Sequence, residues 1–170
     1  MISVFIDGAN LHSTLRALKS EMDYKKLLAY FGPDLLRINY YTAILPSGEL
    51  STIRPLLDWL AYNGYTVVTK EAKKWTDDSG NVKTKGNMDI EMAVDILEAS
   101  LFSKRIWLFT GDGDFTYAVQ RVKQRGCHVT VASTIRTKPG FIADELRRAA
   151  DVFVDISDLN VYSTERAKWT

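Results

Sequence analysis

Apolar and polar positions change rhythm repeatedly along this chain, and each change marks an element. Residues 2–6 (Ile-Ser-Val-Phe-Ile) form a short apolar run that stops at Asp7-Gly8-Ala9-Asn10. β-Branched and aromatic residues without polar alternation predict a strand buried on both faces. Leu11, Leu15 and Leu18 then share a helical face, and Leu27, Leu28 and Phe31 lead to a stop at Gly32-Pro33. Residues 36–44 read as a strand and Pro46-Ser47-Gly48 as a turn. Ser51 is the expected cap of a helix carrying Leu56, Leu57, Leu60 and Ala61, closed by Asn63-Gly64. Residues 65–69 predict another strand. The stretch 70–85 breaks the rhythm: Lys70, Lys73, Lys74, Lys83 and Lys85 surround Trp75, with a turn at 78–81. Alternation then resumes with a helix over 88–102, a strand at 106–110, a loop at 111–114 and a helix over 115–125 ending at Gly126. A strand at 128–132, a helix near 142–149 and a short strand at 152–154 complete the pattern. This order predicts an α/β fold, a mainly parallel sheet with helices on both faces. Such sheets place ligand sites at the carboxyl ends of their strands.

Composition narrows the reading. A length of 170 residues suits one domain and buries a core without disulfides or a structural metal. With 46% hydrophobic and 25% charged residues, disordered, collagen-like and coiled-coil chains are excluded. Lys and Arg total 22 against 21 Asp and Glu, so any surface for nucleic acid must be local. The single cysteine, Cys127, excludes an internal disulfide and a cysteine-rich zinc site and fits a reducing compartment. The first residues lack a signal-peptide pattern, and no apolar stretch approaches the ~20 residues that span a bilayer. The expectation is a cytoplasmic protein with no membrane association, its domain covering 1–156 and a C-terminal tail covering 157–170. Residues 162–170 of that tail are expected to be loosely ordered or to pack against a second copy, as in a homodimer.

The aspartates carry the chemistry. Asp7 follows the first strand, Asp112 and Asp114 follow the strand at 106–110, and Asp89 starts the helix leading into it. If the two strands are neighbours, these acids share one edge. Two carboxylates ~4 Å apart at an effective dielectric of ~20 repel by about 4 kcal/mol, so such a cluster must protonate, disperse or bind a cation. Oxygen donors without cysteine or paired histidines suit Mg²⁺ or Mn²⁺ rather than Zn²⁺, and such an ion activates water and neutralises a phosphodiester under attack. Gly111 and Gly113 would let the backbone approach a bulky anion. The simpler reading makes Asp7 and Asp114 helix caps and Asp89 a partner of its helix dipole.

Three motifs in this order, Phe5-Ile6-Asp7-Gly8-Ala9-Asn10, Lys85-Gly86-Asn87-Met88-Asp89 with Asp95 beyond, and Thr110-Gly111-Asp112-Gly113-Asp114-Phe115, resemble the LabA-like branch of the NYN domains. These belong to the PIN-like ribonuclease superfamily. The resemblance covers 3–154 and implies a Rossmannoid three-layer fold and a Mg²⁺- or Mn²⁺-dependent endoribonuclease acting on RNA phosphodiesters. By position it implies Asp7, Asp89 and Asp112 as metal ligands and catalytic residues, Asp114 as an additional catalytic acid, and Asn10 as a residue orienting Asp7 or a metal-bound water. Gly113 stands where such proteins often carry serine. Some members look regulatory, so the alternative is a non-catalytic NYN-fold module that binds RNA or protein. A Mg²⁺-dependent phosphatase is a further rival, weakened by the lack of an Asp-x-Asp pair after the first strand.

Asp95 lies about 120° around the helix from Asp89, too far for both to aim at one ion on an ideal helix, which favours a supporting role. Lys85 meets a phosphate, pairs with an acid of the pocket, or is a solvated loop lysine. Lys73, Lys74, Trp75 and Lys83 suggest an RNA-binding arm, with lysines on phosphates and the indole on an unpaired base. Arg121, Lys123 and Arg125, or Arg136 and Lys138, would extend the track. His12 follows the first motif on a helix, His128 shows no metal spacing to Cys127, and Trp59 and Trp107 read as core or interface residues.

Overall fold

The computed structural model describes residues 1–45 and 50–163. The elements begin with β1 (Ile2–Asp7), α1 (Gly8–Ala17), β2 (Glu21–Met22), α2 (Tyr24–Phe31), β3 (Leu35–Ile44), α3 (Leu50–Tyr62) and β4 (Thr66–Glu71). A hairpin of β5 (Lys73–Thr76) and β6 (Val82–Lys85) precedes α4 (Asp89–Ala99) and β7 (Arg105–Phe109). Then come α5 (Thr116–Gln124), β8 (His128–Ser133), α6 (Asp144–Ala149), β9 (Val152–Asp155) and β10 (Tyr162–Ser163).

Six strands form one sheet in the order β4-β3-β1-β7-β8-β9, and every pairing is parallel. The alternation of side chains across a strand divides the core into two layers. Ile2, Val4 and Ile6 of β1, with Phe109 of β7, join Leu11, Leu27 and Leu60 of α1–α3. Phe5, Ile106, Leu108, Val129 and Val131 face the other way, onto Met92, Ile96, Val119, Val122 and Leu146 of α4–α6. Apolar strands are therefore required: both faces of the sheet are covered. The three-layer α/β fold matches the expectation.

Local chemistry sets the ends. Asp23 caps α2 by accepting the Lys25 and Lys26 N–H groups, and the turns after α2, α3 and α5 use Gly32, Gly64 and Gly126 at positive φ. Several boundaries differ from the pattern. Helix α3 begins at Leu50, so Ser51 lies inside it, and the turn at 46–48 lies outside the described residues. Helix α4 stops at Ala99, where Ser100 caps it, and α6 starts only at Asp144. The stretch at 70–85 contains a two-stranded hairpin whose residues are all exposed, so no buried face announced it. Ile156, Leu159 and Val161 are buried in the α1–α3 layer, and β10 pairs antiparallel with β2 of the same chain. Residues 157–163 thus pack on their own domain. No helix among the described residues is long and apolar enough to cross a membrane.

Gly111 has a packing reason distinct from the anion approach expected of it. A Cβ there would sit 1.5 Å from the Phe141 carbonyl oxygen, whereas one on Gly126 would meet nothing within 4 Å. Gly111→Ala is therefore expected to destabilise by about 2–3 kcal/mol through overpacking. Gly126→Ala, at φ +79°, is expected to lose about 1 kcal/mol to backbone strain alone. Urea unfolding midpoints of the two variants check the order.

Candidate functional site

Parallel pairing brings the first and third acidic segments together. Register places Ile6 opposite Phe109, so Asp7 and Thr110 leave the sheet side by side. The chain builds outward from β1 through β3 on one side and β7 on the other, and a crevice opens where the strand order reverses. Asp7 caps α1: its Oδ1 accepts the Asn10 N–H at 3.1 Å, and its Oδ2 accepts the Thr110 hydroxyl at 3.1 Å. Thr110 Oγ1 in turn accepts the Asp112 N–H at 3.2 Å, and Asp112 Oδ1 accepts the Asp114 N–H at 2.9 Å. Asn10 Oδ1 accepts the Gly111 N–H at 2.9 Å, tying α1 to the loop after β7. Capping and clustering are thus compatible, because the bonds that cap also hold the two carboxylates in place.

Asp89 arrives from the opposite layer as the first residue of α4, whose preceding Met88 supplies no side-chain cap. Oxygens of Asp7, Asp89 and Asp112, all half-buried, lie within 4.8 Å of one another. Burial, then the charges of Asp112, Asp7, Asp114 and Glu91, pushes Asp89 up to about 6. Burial also raises Asp7, against its hydrogen bonds to Asn10 and Thr110 and with repulsion from Asp112. Three hard oxygen donors without histidine or cysteine fit Mg²⁺ or Mn²⁺.

The remaining acids stand outside this trio. Asp114 is exposed on the loop, and its charge reaches Asp89. Asp95 accepts the Tyr41 hydroxyl at 2.7 Å, which fixes it beside β3. Tyr41 and Thr110 escaped the sequence reading. Thr110 had a signal, its position between the strand and Gly111; Tyr41 had none, because its partner lies 54 residues away. Gly113 sits beside Glu145, whose Oε1 is 2.3 Å from where a Cβ would be.

Register puts Lys73 opposite Lys85 and Trp75 opposite Lys83, so these four share one face of the hairpin while Lys74 lies on the other. Trp75 is 44% exposed. Lys83 pairs with Asp77 at 3.1 Å and Lys70 with Glu91 at 2.8 Å, whereas Lys85 pairs with no acid among the described residues. Helix α5 starts beside the acidic loop and runs away from it. Its Lys123 pairs with Asp151, and Arg125 donates to the Leu97 carbonyl and Ser100 at the far edge of the sheet. The expected track through Arg121, Lys123 and Arg125 therefore does not reach the acids, and Arg136 is engaged by Asp158 and Ser157. Cys127 and Trp59 are buried. His12 lines a separate cavity between α1 and α3.

A carboxyl held above its ordinary value binds its proton more tightly folded than unfolded. Stability then falls as pH rises from 3.8 through about 6. Asp89→Asn is expected to raise the metal-free unfolding midpoint near pH ~7, an advantage that fades below pH ~4. Millimolar Mg²⁺ or Mn²⁺ is expected to stabilise the parent but not the variant. Thermal unfolding across pH, with EDTA or metal, reads both effects.

Comparison with known proteins agrees with the geometry. The NYN domain family matches residues 1–158. The chain is 33% identical over 173 aligned positions to the low amplitude and bright protein LabA of Synechococcus elongatus, covering 97% of this chain and 89% of that protein. In fold it is similar to the crystal structure of a Vibrio parahaemolyticus protein of unknown function, with a TM-score of 0.75, 24% identity and 95% of each chain covered. With its family match spanning the whole sheet and all three acidic segments, this chain belongs to the NYN domain family.

Proposed function

We propose that this protein is a Mg²⁺- or Mn²⁺-dependent endoribonuclease that hydrolyses RNA phosphodiesters. The observation that carries the reading is the convergence of Asp7, Asp89 and Asp112, from three distant segments, to within 4.8 Å. Membership of a nuclease-like family supports it. Asp7, Asp89 and Asp112 would hold the ion, which supplies charge neutralisation and water activation when bound. Asn10 and Thr110 position this set through the bonds to Gly111, Asp7 and Asp112. Asp114 adds charge at the exposed rim. Tyr41 keeps Asp95 oriented behind the ligands. Because Asp89 carries a proton up to about pH 6, ion binding there competes with protonation.

The hairpin is the arm that holds RNA in this reading. Its Lys73, Lys83 and Lys85 surround an indole open to solvent, and the chain passes from Lys85 to Asp89 within four residues. Stacking on Trp75 requires an unpaired base, so the reading favours single-stranded RNA. Lys74, on the opposite face, adds only long-range charge.

Labelled single-stranded RNA is expected to be cut internally with Mg²⁺ or Mn²⁺ and to survive in EDTA. Asp112→Asn is expected to slow cleavage by about 100-fold or more, and Trp75→Ala to raise KM about tenfold. Cleavage indifferent to EDTA or to Asp112→Asn sinks the proposal. Intact RNA alongside measurable metal binding points instead to a non-catalytic module.

A further inference from the structure

On the other side of the Asp7–Ala9 turn, α1 and α3 part over β3 and leave an open cleft of about 820 Å³. It contains none of the three clustered aspartates, yet Gly8 and Ala9, which follow Asp7 directly, form its rim. Its walls have two characters. Leu15, Ile53 and Leu56 supply an aliphatic surface, with Tyr40 in the floor. His12, Arg16 and Lys19, at spacings that keep them on one side of α1, line the same cleft and are exposed. None of the three has an ion-pair or hydrogen-bond partner for its side chain among the described residues, and the acid in the lining, Glu21, is itself partnered.

Lys19 adds a second observation. It stands one residue past the cap of α1 at φ +52°, where the Lys19 N–H donates to the Arg16 carbonyl and the Ser20 N–H to the Leu15 carbonyl. This is the left-handed closing position that favours glycine. The chain uses glycine for the positive-φ turn after α2, α3 and α5. A lysine there strains the backbone and presents an ammonium group to the cleft.

We infer that this cleft is a binding site for a nucleoside phosphate, its base against Leu15, Ile53 and Leu56 and its phosphate on Arg16 and Lys19. The volume falls within the range of small-ligand sites. An aliphatic wall accepts a flat heterocycle, and a guanidinium beside an ammonium and an imidazole selects a phosphate. His12, Arg16 and Lys19 disfavour a cation, and an inorganic anion alone leaves the apolar wall unused. The ligand is a free nucleotide or one unit of an RNA strand; either presents the same chemistry. Binding here uses neither the metal nor the three aspartates, so it stands or falls apart from the cleavage reading.

Calorimetric titration of the full chain in EDTA provides the test. The probes are the four nucleoside 5′-monophosphates, inorganic phosphate and single-stranded RNA trinucleotides. At least one monophosphate or trinucleotide is expected to bind saturably with Kd of about 10–100 µM, and more tightly than inorganic phosphate. Arg16→Gln is expected to weaken that binding about tenfold. Lys19→Gly is expected to weaken it severalfold while raising the unfolding midpoint, a combination that a purely structural lysine does not give. Equal affinity for monophosphate and trinucleotide identifies the free nucleotide as ligand, whereas tenfold tighter trinucleotide binding identifies a strand. The inference is overturned if no nucleotide binds saturably, if inorganic phosphate binds equally well, or if both substitutions leave the affinity unchanged.

Discussion

Three carboxylates that approach one another within 4.8 Å oppose folding. At that separation and an effective dielectric of ~20, each ionised pair repels by about 3–4 kcal/mol before solvent screening reduces it. What holds the acids together is the parallel pairing of β1 with β7, which sets Asp7 beside Thr110 regardless of their charge. Capping bonds then fix the carboxylates themselves, and Asn10 joins the two loops. Asp89 has no such bond among the described residues and absorbs the conflict by retaining its proton up to about pH 6. A cation removes the same conflict. The acidic arrangement is preorganised because the sheet, rather than the site, provides the energy that assembles it.

The end of β1 divides two opposite electrostatic neighbourhoods. Toward β7 and α4 lie the acids; toward α3 lie His12, Arg16 and Lys19 around an aliphatic wall. The turn Asp7-Gly8-Ala9 is the seam between them. Gly8 is required there, because a Cβ would meet the Tyr41 carbonyl at 2.7 Å and the Tyr40 ring at 2.8 Å. Tyr40 links the sides physically: it floors the cleft while its hydroxyl lies in the field of Asp7. A net charge of +1 conceals this separation, since local fields rather than the total decide which ligands approach.

The fold and the acidic edge were largely legible from the chain. Apolar runs ending at Asp7 and Thr110 mark buried strands, and the alternation leaves few topologies, but the neighbourhood of Asp7 and Asp112 depended on β1 pairing with β7, which the strand order supplies. Asp95 was separable from Asp89 by helical angle alone, and the Tyr41 bond accounts for where it points. The hairpin was not legible as strands: Lys-Lys-Trp-Thr and Val-Lys-Thr-Lys bury nothing, and their pairing depends on Asp77, whose carboxylate accepts the Ser79 and Asn81 N–H groups. The reach of the α5 cations was misjudged because helix direction, not composition, decides which edge they serve. Gly111 illustrates the same limit, its reason being a carbonyl 30 residues away. The cleft was invisible because its walls come from five separate elements.

The hairpin proposed to hold RNA and the acids proposed to cleave it are anchored differently in this architecture, and this makes the two proposed roles separable. Asp7 and Asp112 are tied to the sheet end by part-buried hydrogen bonds, so changing either disturbs them, whereas Asp89 is placed only by the start of α4. The hairpin is fully exposed and is rooted where Gly86 packs so closely on Ala72 that a Cβ would lie 2.6 Å from the alanine methyl. Its two strands contribute nothing to either core layer. Lysines and the indole on its face can therefore change without loosening β1 or β7, while the acidic set cannot drift without unsettling the centre of the sheet. If the proposed roles hold, preference for a nucleic acid would be free to diverge faster than the chemistry at the acids, because only the acidic set shares its atoms with the sheet.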